Sequence, residues 1–122
     1  MADTEIYTIA VIPGDGIGPE ITRETVLTLK RAGEVFGQSF RFEEVTAGTQ
    51  ALRQGRCPMP PESLTACRQA DGILMGKLAV GRRPDLDFKD RPESILGLLR
   101  TELSLRSDIR PCFFSDALRG LC

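Results

Sequence analysis

Residues 7–12 (YTIAVI) form an unbroken β-favouring apolar run that stops at Pro13 and a group of glycines. A run without alternation belongs to a strand covered on both faces, as in the parallel sheet of an α/β protein. Over residues 19–36 the period changes to the helical one. Ile21, Thr25, Leu29, Ala32, Val35 and Phe36 recur at roughly that spacing, Pro19 suits the first helical position, and Gly37 supplies a stop. Residues 40–45 (FRFEEV) start with strict alternation and predict a second strand, which makes the beginning of the chain a βαβ unit with parallel strands.

The pattern then shortens. Residues 47–54 predict one short helix, residues 55–61 a proline-rich turn, and residues 61–70 a helix opened by Pro61. Residues 73–75 predict a third, brief strand. The charged stretch 81–91 (GRRPDLDFKDR) has no period and reads as a surface loop, either bordering a site or simply solvated. Residues 94–103 predict a helix with Glu93 at its positive end, and residues 109–114 predict an extended segment around Arg110-Pro111. The fold class expected is α/β, a mostly parallel sheet with flanking helices.

Composition narrows the functional classes. The 122 residues are 41% hydrophobic, enough for one domain with a core, and 16 Lys+Arg against 17 Asp+Glu leave a net charge of -1. Such a balance provides no field for nucleic acid or an anionic membrane, so neither partner is expected. No stretch approaches the roughly 18 apolar residues of a membrane span, and the acidic start (Asp3, Glu5) has no apolar signal region, so a cytoplasmic location is expected. Cys57, Cys67, Cys112 and Cys122 form no CxxC pair and there is no histidine, which reads as reduced thiols and not a zinc set.

The strongest local signal is IPGDGIGPE at residues 12–20. A Rossmann loop needs G-x-G-x-x-G, and Gly14 and Gly16 fit, but Pro19 stands at the third glycine position and no acid for a ribose is evident at the end of the second strand. Two readings remain open from the residues alone, a tight βα turn with Asp15 stabilising or capping it and a phosphate-binding loop.

IAVIPGDGIGPEI resembles the N-terminal signature of the β-hydroxyacid oxidative decarboxylases, the isocitrate and 3-isopropylmalate dehydrogenases, and is closest to the latter. ADGILMG (70–76) is similar to the family's third-strand segment, and RPESILGLLRTELSLRSDIRP (91–111) to its substrate segment. The resemblance implies the N-terminal part of a non-Rossmann isopropylmalate dehydrogenase-like fold, with residues 1–122 as a segment of a longer domain.

It also implies a chemistry: oxidation of a malate-type 2-hydroxy acid with NAD, or NADP, followed by decarboxylation assisted by Mg²⁺ or Mn²⁺. The substrate would be a small di- or tricarboxylic acid, most readily 3-isopropylmalate of leucine biosynthesis, in a homodimeric enzyme. Arg100 and Arg110 match the arginines that hold substrate carboxylates, where a guanidinium fork fits bidentately. Ser94 and Leu96 match the substrate-discriminating positions, and Leu96 points to an apolar substituent because a buried leucine leaves an extra carboxylate unpartnered. Leu96 also reads as an ordinary core residue of an amphipathic helix. Ile17 and Glu93 match positions beside the nicotinamide-ribose end of the cofactor.

Arg106, Ser107 and Asp108 depart from the family pattern, where an aromatic, alanine and asparagine are common. The catalytic lysine and tyrosine and the metal-binding aspartates are expected beyond Cys122, so the chain alone is expected to be inactive. Alternatives are a catalytically silent regulatory or binding subunit, a dehydrogenase for isocitrate, homoisocitrate or tartrate, and an unrelated α/β domain binding a phosphate.

Overall fold

The computed structural model describes residues 5–78 and 86–112. Within them lie three parallel strands, β1 (Ile6–Ile12), β2 (Ser39–Glu44) and β3 (Gly72–Met75), in the order β2-β1-β3. Four helices accompany them: α1 (Gly18–Phe36), α2 (Thr49–Arg53), α3 (Pro61–Gln69) and α4 (Ser94–Glu102), the last preceded by a 3₁₀ turn at Phe88–Asp90. The unbroken apolar run is the central strand, as expected of a strand flanked on both edges and both faces.

Register explains the layering. Tyr7 pairs with Phe40, Ile9 with Phe42 and Val11 with Glu44, so these residues share the face that α1 covers. Ala10 and Ile12 point the other way and join Val45, Ala47, Met59, Cys67 of α3, and Ile95 and Leu99 of α4 in the core. Ile12 and Ile95 are fully buried at 0% exposure. An Arg68–Glu102 ion pair ties α3 to α4 at the surface.

The ends of the helices follow their sequence. Pro19 sits in the first turn of α1, and Gly37 adopts φ 70° to close it, its N–H donating to the Gly33 carbonyl. The inward face of α1 differs from the expected one. Ile21, Thr25, Val35 and Phe36 are exposed, and Gly18, Thr22 and Gly33 are buried instead. Small residues let the helix lie close to the sheet: a Cβ on Gly33 would stand 2.6 Å from the Gln38 carbonyl oxygen and 3.2 Å from the Phe40 ring.

Two further expectations change. Part of the supposed loop, Phe88–Asp90, is a 3₁₀ turn, while residues 81–85 lie outside the described ones. Residues 109–112 belong to no strand, and residues 113 and 114 of the expected extended segment are outside the description.

Candidate active site

In an open parallel sheet, ligands bind beyond the carboxyl ends of the strands. Here those ends are bound together by one residue. Asp15, 5% exposed between Gly14 (φ 83°) and Gly16 (φ 59°), donates its backbone N–H to the Lys77 carbonyl at 2.6 Å. Its carboxylate Oδ1 accepts the Thr49 N–H at 3.1 Å, so Asp15 caps the first residue of α2 and joins the segments that follow β1, β2 and β3. Its other oxygen, Oδ2, is buried with no partner among the described residues.

At Gly14 and Gly18 the turn is packed against its own chain, whereas at Gly16 no heavy atom lies within 4 Å of where a Cβ would stand. A Cβ on Gly14 would lie 2.3 Å from the Lys77 carbonyl oxygen, on Gly18 2.5 Å from that of Pro13, and on Gly76 2.1 Å from the same Pro13 oxygen. Backbone, and not open space, fills the room that these glycines leave. Of the two readings the residues left open, the Asp15 hydrogen bonds to Lys77 and Thr49 match the tight turn with Asp15 as a cap. Ile17, at the entry to α1, projects into solvent at 54% exposure.

Helix α4 carries most of the remaining expected site residues. Ile95 and Leu99 face the core, which turns Glu93, Leu96 and Arg100 to the opposite, exposed side at spacings of three and four. Leu96 is 40% exposed, so it is not a core residue of the helix. Ser94 is engaged in holding the helix start: its hydroxyl donates to the Arg91 carbonyl at 2.7 Å and lies 3.0 Å from that of Lys89.

The chain then reverses. Ser104 adopts φ 53°, its N–H reaches the Thr101 carbonyl at 3.2 Å, and the Leu105 N–H reaches that of Arg100 at 2.9 Å. This is a Schellman closure with serine in the left-handed position usually given to glycine. The reversal brings residues 108–110 back beside the end of α4. Arg100 Nη2 and Arg110 Nη2 each lie 2.9 Å from Oδ2 of Asp108, and Arg110 Nε lies 3.2 Å from Oδ1.

The two arginines therefore converge on one carboxylate. The Arg110 hydrogen bond, aided by the charges of Arg110 and Arg100, holds the Asp108 carboxyl below its ordinary range, and Arg110 is raised in turn. Arg106 is exposed. In the sequence Asp108 is only a departure from the family pattern; its place between the arginines depends on the Ser104 turn, which no glycine announces.

A cleft of about 970 Å³ opens on the other face of the sheet, walled by Phe42 and Glu44 of β2, by Lys30 of α1 and Arg53 of α2, and at one end by Gly14, Asp15 and Gly16 of the glycine turn. The expected site residues lie elsewhere. Among the described residues no group of three or more His, Cys, Asp or Glu is placed to hold a metal ion, and no helix is long and apolar enough to cross a membrane.

The isocitrate/isopropylmalate dehydrogenase family model matches residues 8–121. A 3-isopropylmalate dehydrogenase of Moorella thermoacetica is 41% identical over 114 residues, which are 93% of this chain and 32% of that protein. The Aquifex aeolicus 3-isopropylmalate dehydrogenase is 38% identical over 92% of this chain and 31% of its own length. Among solved structures, an apo β-decarboxylating dehydrogenase from Thermococcus kodakarensis superimposes with a TM-score of 0.60 at 34% identity, covering 81% of this chain and 27% of that one. The chain spans about a third of the length of these curated relatives. With a parallel β2-β1-β3 sheet, the glycine turn and the arginine-bearing helix all in the matched region, the chain belongs to the isocitrate/isopropylmalate dehydrogenase family.

Proposed function

We propose that this chain supplies the substrate-holding arm of an NAD-dependent, decarboxylating dehydrogenase whose substrate is a 2-hydroxy dicarboxylic acid with an alkyl group, 3-isopropylmalate. One observation supports this above the others. Leu96 and Arg100 stand one turn apart on the exposed face of α4, and Arg110 is brought to the same place, so an apolar patch adjoins two cations. A branched alkyl group beside a carboxylate matches that surface, whereas isocitrate would set a carboxylate against Leu96 and gain no apolar contact there.

The division of labour follows from the chemistry of each residue. Arg100 and Arg110 bind and orient carboxylates through paired N–H donors. Leu96 excludes water from the substituent. Ser94 positions the helix through its bonds to the Arg91 and Lys89 carbonyls, which leaves it a positioning residue more than a direct contact.

Ile17 and Glu93 are assigned to the nicotinamide-ribose end of NAD, an assignment supported by their exposure and by the family resemblance. The adenine side of the cofactor is assigned to other parts of the parent enzyme. The described residues do not fit Mg²⁺ or Mn²⁺ as a ligand set, so a cation that would polarise the oxidised substrate is assigned to other parts of the parent enzyme. A cytoplasmic homodimer acting in leucine biosynthesis accords with this reading.

The experiment is calorimetric titration of the chain with 3-isopropylmalate and, separately, isocitrate. 3-Isopropylmalate is expected to bind more tightly, Arg100→Gln to abolish the heat, and Leu96→Asn to narrow the difference. No NADH is expected to form with Mg²⁺ and NAD present, because proton transfer and metal binding are assigned outside this chain. Equal binding of both acids by the native chain and by Leu96→Asn would refute the substrate assignment.

A further inference from the structure

We propose that Asp108 is an internal counter-ion that occupies the arginine pair, so that a substrate carboxylate gains Arg100 and Arg110 only by displacing it, and this one side chain sets how strongly the site takes anions. The inference rests on the assignment of the two arginines to substrate carboxylates and concerns the regulation of that site.

The geometry is that of a bound carboxylate. Oδ2 of Asp108 receives one N–H from each guanidinium at 2.9 Å, and Arg110 adds its Nε at 3.2 Å to Oδ1 and 3.3 Å to Oδ2. These are the short, charge-assisted contacts that a ligand carboxylate would make. Two guanidinium groups against one carboxylate leave a single net positive charge, and a second carboxylate entering beside Asp108 would meet a like charge.

Tethering makes Asp108 an effective competitor. It lies two residues from Arg110, and the Ser104 turn carries it back to Arg100, so it is held at the pair without a diffusional encounter. It is a displaceable competitor, because Asp108 is about half exposed and Arg110 is 82% exposed. Exposed pairs are weak individually. An arginine pair free of Asp108 for only about a tenth to a third of the time binds a carboxylate about three- to tenfold more weakly than a pair that is always free.

The test uses the Nε–Hε signals of Arg100 and Arg110 in ¹⁵N-labelled chain titrated with malate. In Asp108→Asn the apparent Kd for malate is expected to fall about three- to tenfold relative to the native chain, with both arginine signals moving together. Asp108→Ala is expected to give the same gain, since the loss of charge is what matters, while Asp108→Glu leaves the native affinity. Equal Kd values in the native chain, Asp108→Asn and Asp108→Ala, with both arginine signals responding to malate, would overturn the proposal and leave the arginines as substrate ligands. Malate that moves neither arginine signal in any form would overturn the assignment of the arginines and the proposal with it.

Discussion

Gly14 and Gly16 flank Asp15, and both have positive φ, yet replacing each with alanine should have different consequences. At Gly16 (φ 59°) no heavy atom lies within 4 Å of the new Cβ, so the cost is conformational only. A left-handed alanine costs roughly 1–2 kcal/mol, and the lost freedom of the unfolded chain returns about 0.4–1 kcal/mol, leaving a net loss of about 1 kcal/mol. At Gly14 (φ 83°) the same penalty applies, and the Cβ also falls 2.3 Å from the Lys77 carbonyl oxygen, the one that accepts the Asp15 N–H. Pushing that carbonyl away adds the roughly 1–3 kcal/mol of an overpacked site, so Gly14→Ala should cost about 2–4 kcal/mol in total. Urea unfolding followed by far-ultraviolet circular dichroism measures both variants against the native chain. Equal losses would refute the reasoning, because they would mean that the loop does not press on the segment after β3.

Ser104→Gly should stabilise the chain by about 0.5–1 kcal/mol in the same assay, since it removes the left-handed penalty at the Schellman position and gives back only part of it to the unfolded state. Cys67, buried in the core with its thiol pushed up by that burial, should resist iodoacetamide in the folded chain while exposed Cys57 and Cys112 are alkylated, as peptide mapping by mass spectrometry would show. Because the Asp108 carboxyl is held below its ordinary value, its pairing with Arg110 and Arg100 contributes above the unfolded carboxyl pKa near ~4 and is lost as pH falls through the lower folded value. A ¹³C carboxyl titration should show Arg110→Gln raising that midpoint further than Arg100→Gln.

The sheet and its helices were legible because their signals are local. The YTIAVI run, Pro19 and Gly37 at the ends of α1, and Pro61 at the start of α3 each act within one turn of where they stand. The inward face of α1 was not, because periodicity selects large apolar residues whereas a helix lying close to a sheet selects small ones; Gly33 against Phe40 is the contact that decides it. In the site, matched flanks singled out Arg100 and Arg110, but their meeting at Asp108 needs the Ser104 reversal, a left-handed serine with no sequence mark. Leu96 could be read as core or as site until Ile95 and Leu99 took the core side of α4.

The hydrogen bond from the Asp15 amide to Lys77 joins residues far apart in sequence, and the acceptor arrives only when β3 has docked on β1. This single amide is therefore a clock for assembly. In pulse-labelled hydrogen exchange during refolding, the amides inside α1 are expected to gain protection early, from bonds that close within the helix, and Asp15 only once the third strand is in place. The glycine turn that heads the chain would then be among the last parts of it to take its final form.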